Sequence, residues 1–342
     1  MYSYVILLNW NGWKDTIECL ESVFRLSSQN FCVVVCDNDS ADGSLERIKQ
    51  WARGELKAGS ANPQLSYLSS PVFPKPVPYL ELTREQAESR AVPCVAPLIL
   101  IQNGANLGFA AGNNVGLRYA LNDSECQFFW MLNNDTVTEP NALSAMIRLM
   151  QQHPAIGLCG SLNLSYYNPE EVQAQGGKTY FCWTASARTP PPRTVKTLDS
   201  VPTPIDFVNG ASMLASRDFL ETVGLMEEAY FLYFEELDWA MRAKGRFALG
   251  YARESVIYHK EGAAIGSSPD RAKRSMVSDK YLTRSRVMFT KKFFPWALPS
   301  VLTWVPLAAA YRFIRGDMER AMVMLAAMLQ GLKLPIPATK ST

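Results

Sequence analysis

The 342-residue sequence lacks the usual signatures of nucleotide chemistry. Neither G-x-G-x-x-G nor G-x-x-x-x-G-K-[ST] occurs anywhere in it, which removes support for a Rossmann dehydrogenase and for a P-loop enzyme. A C-x-x-C pair is also missing. The seven cysteines form an odd set, and several sit in apolar runs such as Phe31 to Cys36, so a reduced, cytoplasmic compartment is expected. There is little excess charge: a formal +2 is too small to imply a nucleic-acid partner. No basic region precedes a long apolar segment near Met1, so Val5 to Leu8 reads as a first strand rather than a signal peptide. No internal repeat is evident.

What is present is an alternation of short apolar runs with segments of helical period, the pattern of an α/β fold built on a mostly parallel sheet. The expected strands are Val5 to Leu8, Phe31 to Cys36, Leu98 to Ile101 and Phe128 to Leu132. Ile17, Leu20, Val23 and Phe24 recur at helix spacing between the first two, as do Leu143, Met146, Ile147 and Met150 after the fourth. Residues 54–97 are rich in Gly, Ser and Pro and read as a partly mobile insertion; the smaller Pro-rich stretch from Arg188 to Pro204 reads as a surface loop.

The expected organisation is a catalytic domain over 1–265 and a helical C-terminal region over 266–342. That region opens with basic residues from Arg271 to Lys292 and continues into Phe293 to Tyr311, which has no charged side chain. Pro295, Pro299 and Pro306 are expected to break a continuous helix there. Two readings stay open: a peripheral seat on an anionic membrane, or a helical subdomain packed on the catalytic domain.

Each expected strand ends in a short polar side chain: Asn9, Asp37, Asn103 and Asn133. Ligands of open α/β sheets lie outside the carboxyl ends of the strands, so these ends should line one crevice. Asn106 to Gly116 places small residues and amides where a helix can begin and free N–H groups can meet a phosphate, although Gly108 and Gly112 equally suit close packing. Asn133-Asn134-Asp135 projects a carboxylate from a strand end. Asp135 offers a hard oxygen and His259 a nitrogen, a set that suits magnesium or manganese; the other histidine, His153, precedes Pro154 at a helix end and reads as structural. In Phe231 to Arg242, Glu235, Glu236 and Asp238 follow an aromatic run, and a helix starting there sets Glu235 and Asp238 on one face. They are the candidate general bases.

Together, Val5 to Asn11, Val35 to Ser40, Asn106 to Gly116, Asn133 to Thr136, Val208 to Ala211 and Tyr230 to Arg242 resemble, in order, the family 2 glycosyltransferases and within them the bacterial rhamnosyltransferase-like branch. The resemblance covers residues 1–53 and 98–265. It implies a GT-A fold with a helical C-terminal appendage, a divalent cation, and inverting transfer from a nucleotide sugar, L-rhamnose from dTDP-L-rhamnose first, to a lipid-linked or surface polysaccharide at the inner face of the cytoplasmic membrane. By position it implies that Asn9, Asn11, Asp37 and Asn38 meet the nucleotide, and that Asn106, Gly108, Gly112 and Asn114 shape the donor pocket. It also implies that Asn133 and Asn134 lead a D-x-D-like motif whose last position is Asp135, that His259 joins the metal, and that Glu236 stands where the family has an aspartate base. The competing expectations are a UDP-hexose or UDP-galactofuranose donor, a sugar-phosphate nucleotidyltransferase, and a non-catalytic assembly partner.

Overall fold

The computed structural model describes residues 2–28, 30–89, 95–188, 193–195, 198, 204–261 and 275–335. Arg271, Lys273 and Arg274, and most of the Pro-rich stretch after Arg188, lie outside the described residues. The chain runs β1 (Tyr2–Asn9), α1 (Trp13–Val23), β2 (Phe31–Asp37), α2 (Ser44–Arg53), β3 (Tyr79–Thr83), α3 (Arg84–Glu88), β4 (Leu98–Gln102), α4 (Gly108–Leu121), β5 (Cys126–Asn133), β6 (Thr136–Thr138) and α5 (Ala142–Gln152). It continues through β7 (Ile156–Ser165), β8 (Glu171–Gln175), β9 (Gly177–Phe181), β10 (Ser186–Arg188), β11 (Arg193–Thr194), β12 (Phe207–Val208), β13 (Ser212–Ser216), α6 (Arg217–Val223), α7 (Glu235–Ala243) and β14 (Ala248–His259). Three helices follow: α8 (Met276–Phe293), α9 (Leu298–Ile314) and α10 (Met318–Lys333).

The sheet runs β10-β9-β8-β7-β13-β5-β1-β2-β4-β3, and its half from β5 to β3 is all parallel. Strands of such a half are covered on both faces, so they read as continuous apolar runs. Alternate residues feed two cores. Val5, Leu7, Val33, Val35 and Trp130 face α1, α2 and α5, whereas Tyr4, Ile6, Val34, Cys36 and Met131 face α4 and α6. The other half is mainly antiparallel: β13 pairs with β5 and β7, and only β14 joins β7 in parallel.

Two expectations need correction. The 54–97 segment supplies β3, an edge strand parallel to β4 that the proline-rich text concealed. Pro306 does not end a helix: α9 runs through it from Leu298 to Ile314, with Pro299 in the first turn, where a missing N–H is harmless.

The C-terminal helices pack back on the chain. Met288 and Phe289 of α8 meet Phe234 and Leu237, while α9 and α10 bury Val301, Val305, Ala309, Ala321 and Met324 on one side. The opposite side leaves Leu307, Tyr311, Ile314, Met318 and Met322 exposed. Pro295–Ile314 is long and apolar enough to cross a membrane by length and composition. Among the described residues the six cysteines form no disulfide.

Candidate active site

Strand register brings the four expected ends together, since Asn9 pairs with Asp37, Asp37 with Gln102, and Leu8 with Asn133. Asp37 ties these ends. Its Oδ1 accepts from Asn9 Nδ2 at 2.6 Å and Ser40 Oγ at 2.7 Å, and its Oδ2 accepts from Ser40 N at 2.9 Å and Gln102 Nε2 at 3.4 Å. Asn9 Oδ1 accepts from Thr16 Oγ1 at 2.8 Å and Asn134 Nδ2 at 3.2 Å, so Asn9, Asp37 and Asn134 form one hydrogen-bonded cluster. Asn11, exposed and at φ +51°, accepts from Ala41 N through its side chain at 2.8 Å on the rim of this cluster.

A second cluster lies at the start of α4. Asn38 Nδ2 donates to Gly108 O at 3.1 Å and to Asn106 Oδ1 at 3.3 Å, while Asn103 Nδ2 donates to Asn38 Oδ1 at 2.8 Å. Gly108 is required by its backbone: φ is +80°, and a Cβ there would stand 2.2 Å from Phe231 O, which accepts Phe109 N at 2.8 Å. Gly112 and Asn114 also carry packing here, and a Cβ on Gly112 would come within 2.9 Å of Asn38 Oδ1. A Cβ on Gly112 would strike Leu8 Cδ1 at 2.5 Å, so this glycine seats α4 against β1. Asn114, fully buried, donates to Met226 O at 2.8 Å and Glu228 Oε1 at 2.9 Å and so anchors the loop 226–228.

Beside the β5 end, Asp135 and His259 meet. β14 pairs with β6 so that His259 opposes Thr136, and His259 Nε2 lies 3.2 Å from Asp135 Oδ1 and 3.4 Å from Asn133 Nδ2. Burial alone would raise the Asp135 carboxyl, but attraction and hydrogen bonding from His259 outweigh it and hold the carboxyl below its ordinary value. Burial lowers the imidazole in the same way, yet Asp135 prevails and raises it. One oxygen from the β5–β6 turn and one nitrogen from the end of β14 converge in a way that fits a divalent cation. Among the described residues no group of three or more His, Cys, Asp or Glu could hold one, so the remaining positions fall to ligand oxygens and water.

The candidate bases separate sharply. Asp238, buried, accepts from Arg242 Nε at 2.7 Å and Lys292 Nζ at 2.7 Å, and Tyr230 OH donates to it at 3.3 Å; it fastens α8 to α7 and is satisfied there. Glu235 and Glu236 each keep one buried carboxylate oxygen without a partner. Burial, reinforced for Glu235 by repulsion from Glu236, pushes Glu235 well above the usual carboxylate range, and burial raises Glu236 as well. A Cβ on Gly210 would lie 3.6 Å from Glu236 Oε1, and Asn133 N donates to Ala211 O at 3.0 Å, so the loop Asn209 to Ala211 joins Glu236 to the β5 end.

Several residues here were not evident in the sequence. Thr16 links Asn9 to Asn134, whose Nδ2 donates to it at 2.8 Å. Tyr233 and Phe234, just before α7, both have positive φ, at +68° and +75°, a strain of roughly 1–3 kcal/mol each. Helix α8 holds them there: Tyr233 OH lies 2.6 Å from Ser278 Oγ, Phe234 packs on Phe289, and Ser285 Oγ donates to Leu232 O at 3.0 Å. Tyr281 stacks on Phe231 with centroids 4.3 Å apart. The segment Tyr281 to Ser285 therefore shapes the loop that leads into the two carboxylates.

Residues 83–224 match the family model of glycosyl transferase family 2. The central segment of the chain is thus similar to the family 2 glycosyltransferases. The match contains Asn133 to Asp135; Glu235, Glu236 and His259 lie beyond it. The chain is 25% identical over 155 residues to the low-salt glycan biosynthesis hexosyltransferase Agl10 of Haloferax volcanii, a stretch that is 42% of this chain and 45% of that relative, so it spans less than half the relative's length. In fold it is similar to mannosyltransferase PcManGT of Pyrobaculum calidifontis, solved with GDP-Man and Mn2+, at TM-score 0.50 and 14% identity over 97% of this chain and 87% of that one. It is also similar to GalNAc-T7, solved with UDP, GalNAc and Mn2+, at TM-score 0.55 and 14% identity over 95% of this chain and 55% of that one. The matched segment thus sits in a GT-A fold.

Proposed function

We propose that this protein transfers a hexose from a nucleotide-sugar donor to a hydroxyl acceptor in one metal-dependent displacement that inverts the anomeric carbon. The observation that carries this reading is the convergence, on the loop Asn209 to Ala211, of the β5 end bearing Asp135 and of Glu236 with its unpartnered oxygen. Glu236 removes the acceptor hydroxyl proton as the acceptor oxygen bonds to the anomeric carbon. The bond from that carbon to the diphosphate breaks on the opposite face, and its electron pair leaves with the nucleoside diphosphate. A magnesium or manganese ion, when bound, supplies positive charge for the departing diphosphate; Asp135 and His259 are the residues that would hold it. Burial and repulsion from Glu236 raise the Glu235 carboxyl and so favour its neutral form, which keeps the pocket's charge low.

The first donor to test is dTDP-L-rhamnose, with UDP-hexoses and UDP-galactofuranose beside it. The match to a hexosyltransferase of glycan biosynthesis supports a glycan acceptor, lipid-linked or on a growing surface polysaccharide. The exposed apolar side of α9 and α10 supports a peripheral seat for the 266–342 region on the inner face of the cytoplasmic membrane, with 1–265 as the catalytic domain. Incubation with a donor panel and manganese, followed by chelator, tests the reaction. Chelator-sensitive release of nucleoside diphosphate from one donor is expected, and failure of every donor to turn over would sink the reading.

A further inference from the structure

The residue after His259 is a lysine, and it is almost buried. Its ammonium Nζ contacts Asp15 Oδ1 at 2.5 Å and Glu18 Oε2 at 2.6 Å, both on α1, while its backbone N–H donates to Asp135 O at 3.0 Å. Lys260 therefore grips the main chain of one candidate metal ligand, directly follows the other, and pins both to a helix that contributes neither. Glu18 is fixed in turn, because its Oε1 accepts Tyr166 OH at 2.7 Å. Tyr166 also carries the Lys260 ammonium 4.8 Å from its ring centroid, and its backbone N–H donates to His259 O at 3.1 Å. Two further donors complete the arrangement: Ala61 N and Asn62 N reach the Tyr166 hydroxyl at 3.0 Å each. A buried ammonium between two carboxylates is held at one place, since any displacement leaves a charge unpaired in a dry interior.

On the reading of the Asp135–His259 pair given above, we propose that Lys260 is a positioning residue for the metal. Its ion pairs with Asp15 and Glu18 set the separation at which Asp135 and His259 close on a single divalent cation. The Tyr166 hydroxyl, locked to residues 61 and 62, is the outer support of that setting, so the 54–97 segment bears on metal affinity. Lys260 touches neither the metal nor the substrate.

Manganese binding to the full chain, followed by electron paramagnetic resonance with UDP or dTDP present, measures this without turnover. Groups that hold metal ligands in place typically change affinity by about 10- to 100-fold when lost. Lys260→Met is expected to weaken manganese by at least about 10-fold while metal-free binding of the nucleoside monophosphate stays as it was, and Lys260→Arg is expected to recover most of the loss. A folded Lys260→Met protein with wild-type manganese affinity overturns the inference alone. Should Lys260→Met fail to fold, Tyr166→Phe, which removes only the hydroxyl, is expected to weaken manganese measurably; unchanged affinity there overturns the inference equally. Absence of manganese binding by the wild-type protein overturns the metal reading and this inference with it.

Discussion

His259 Nε2 stands 3.2 Å from Asp135 Oδ1 although one ends β14 and the other lies in the turn between β5 and β6. The antiparallel pairing of β14 with β6 makes the meeting, and neither residue is free to leave it without unzipping that pairing. On the proposed metal site Asp135→Ala and His259→Ala are therefore expected to lower donor turnover, Asp135→Ala by about 10²- to 10³-fold because it removes the only carboxylate the protein would supply and His259→Ala by less. Raising manganese in the assay should recover part of the activity of His259→Ala and little of that of Asp135→Ala. Steady-state kinetics across a metal titration checks both.

On the proposed mechanism Glu236 and Glu235 differ in role, although both carboxyls are raised, Glu235 buried and Glu236 half-buried. Glu236→Gln is expected to reduce turnover by more than about 10³-fold with donor affinity unchanged, whereas Glu235→Gln should cost less than about 10-fold. A base with a raised pKa must ionise before it acts, so turnover should climb with pH along a limb centred above the ordinary carboxylate range. Rate measurements from pH 4 to 9 with isothermal nucleotide binding on each variant decide it; equal losses from the two substitutions would reject Glu236 as the base.

The same burial has an opposite consequence for stability. A carboxyl whose folded pKa lies above its unfolded one folds without penalty while both states are protonated, and loses stability as pH rises through the folded pKa. Glu235, raised most strongly, should therefore weaken the fold at neutral and alkaline pH. Glu235→Gln is expected to raise the melting temperature by a few degrees at pH 8 and to leave it nearly unchanged at pH 4. Calorimetry at the two pH values checks the sign.

Asp238 behaves as a structural ion. Removing it would leave Lys292, whose side chain is 3% exposed, without its nearest carboxylate, at 2.7 Å. Asp238→Ala is expected to cost about 3–5 kcal/mol of stability, the usual penalty for breaking a buried ion pair, since Lys292 then keeps only Glu227 Oε2 at 3.8 Å. The fraction that remains folded should retain donor turnover per folded molecule. Denaturant melts paired with activity corrected for folded protein test this.

The parallel half of the fold was legible because strands covered on both faces must be apolar throughout, as Val33 to Cys36 and Phe129 to Leu132 are. β3 was not, because an edge strand needs few apolar residues and sits after a run of prolines. Asp135 and His259 could be paired from ligand chemistry and family resemblance, since a strand-end carboxylate and the one histidine free of a structural reading are few enough to match. Helix spacing alone set Glu235 and Asp238 on one face; only the fold could show that Lys292 of α8 neutralises Asp238 and leaves Glu235 unpaired. The ties through Thr16 and Lys260, and the positive φ of Tyr233 and Phe234, arise from contacts distant in sequence, and no local pattern encodes them.

The apolar side of α9 and α10 gives the last prediction. Leu307, Ile314 and Met322 are 60%, 82% and 61% exposed, although their helices bury Val305 and Met324 on the inner side. If that side seats in lipid, replacing Leu307 and Ile314 together with glutamate removes roughly 2–4 kcal/mol of apolar transfer and sets negative charge against an anionic surface. Sedimentation with vesicles rich in phosphatidylglycerol should then fall by at least about 10-fold, while transfer to a short soluble acceptor remains at the wild-type rate. Both substituted positions are exposed and lie outside the segment that holds Tyr233 and Phe234, so the fold and the active site should be unaffected. Wild-type protein that stays in the supernatant with every vesicle composition would instead assign this side to a protein partner.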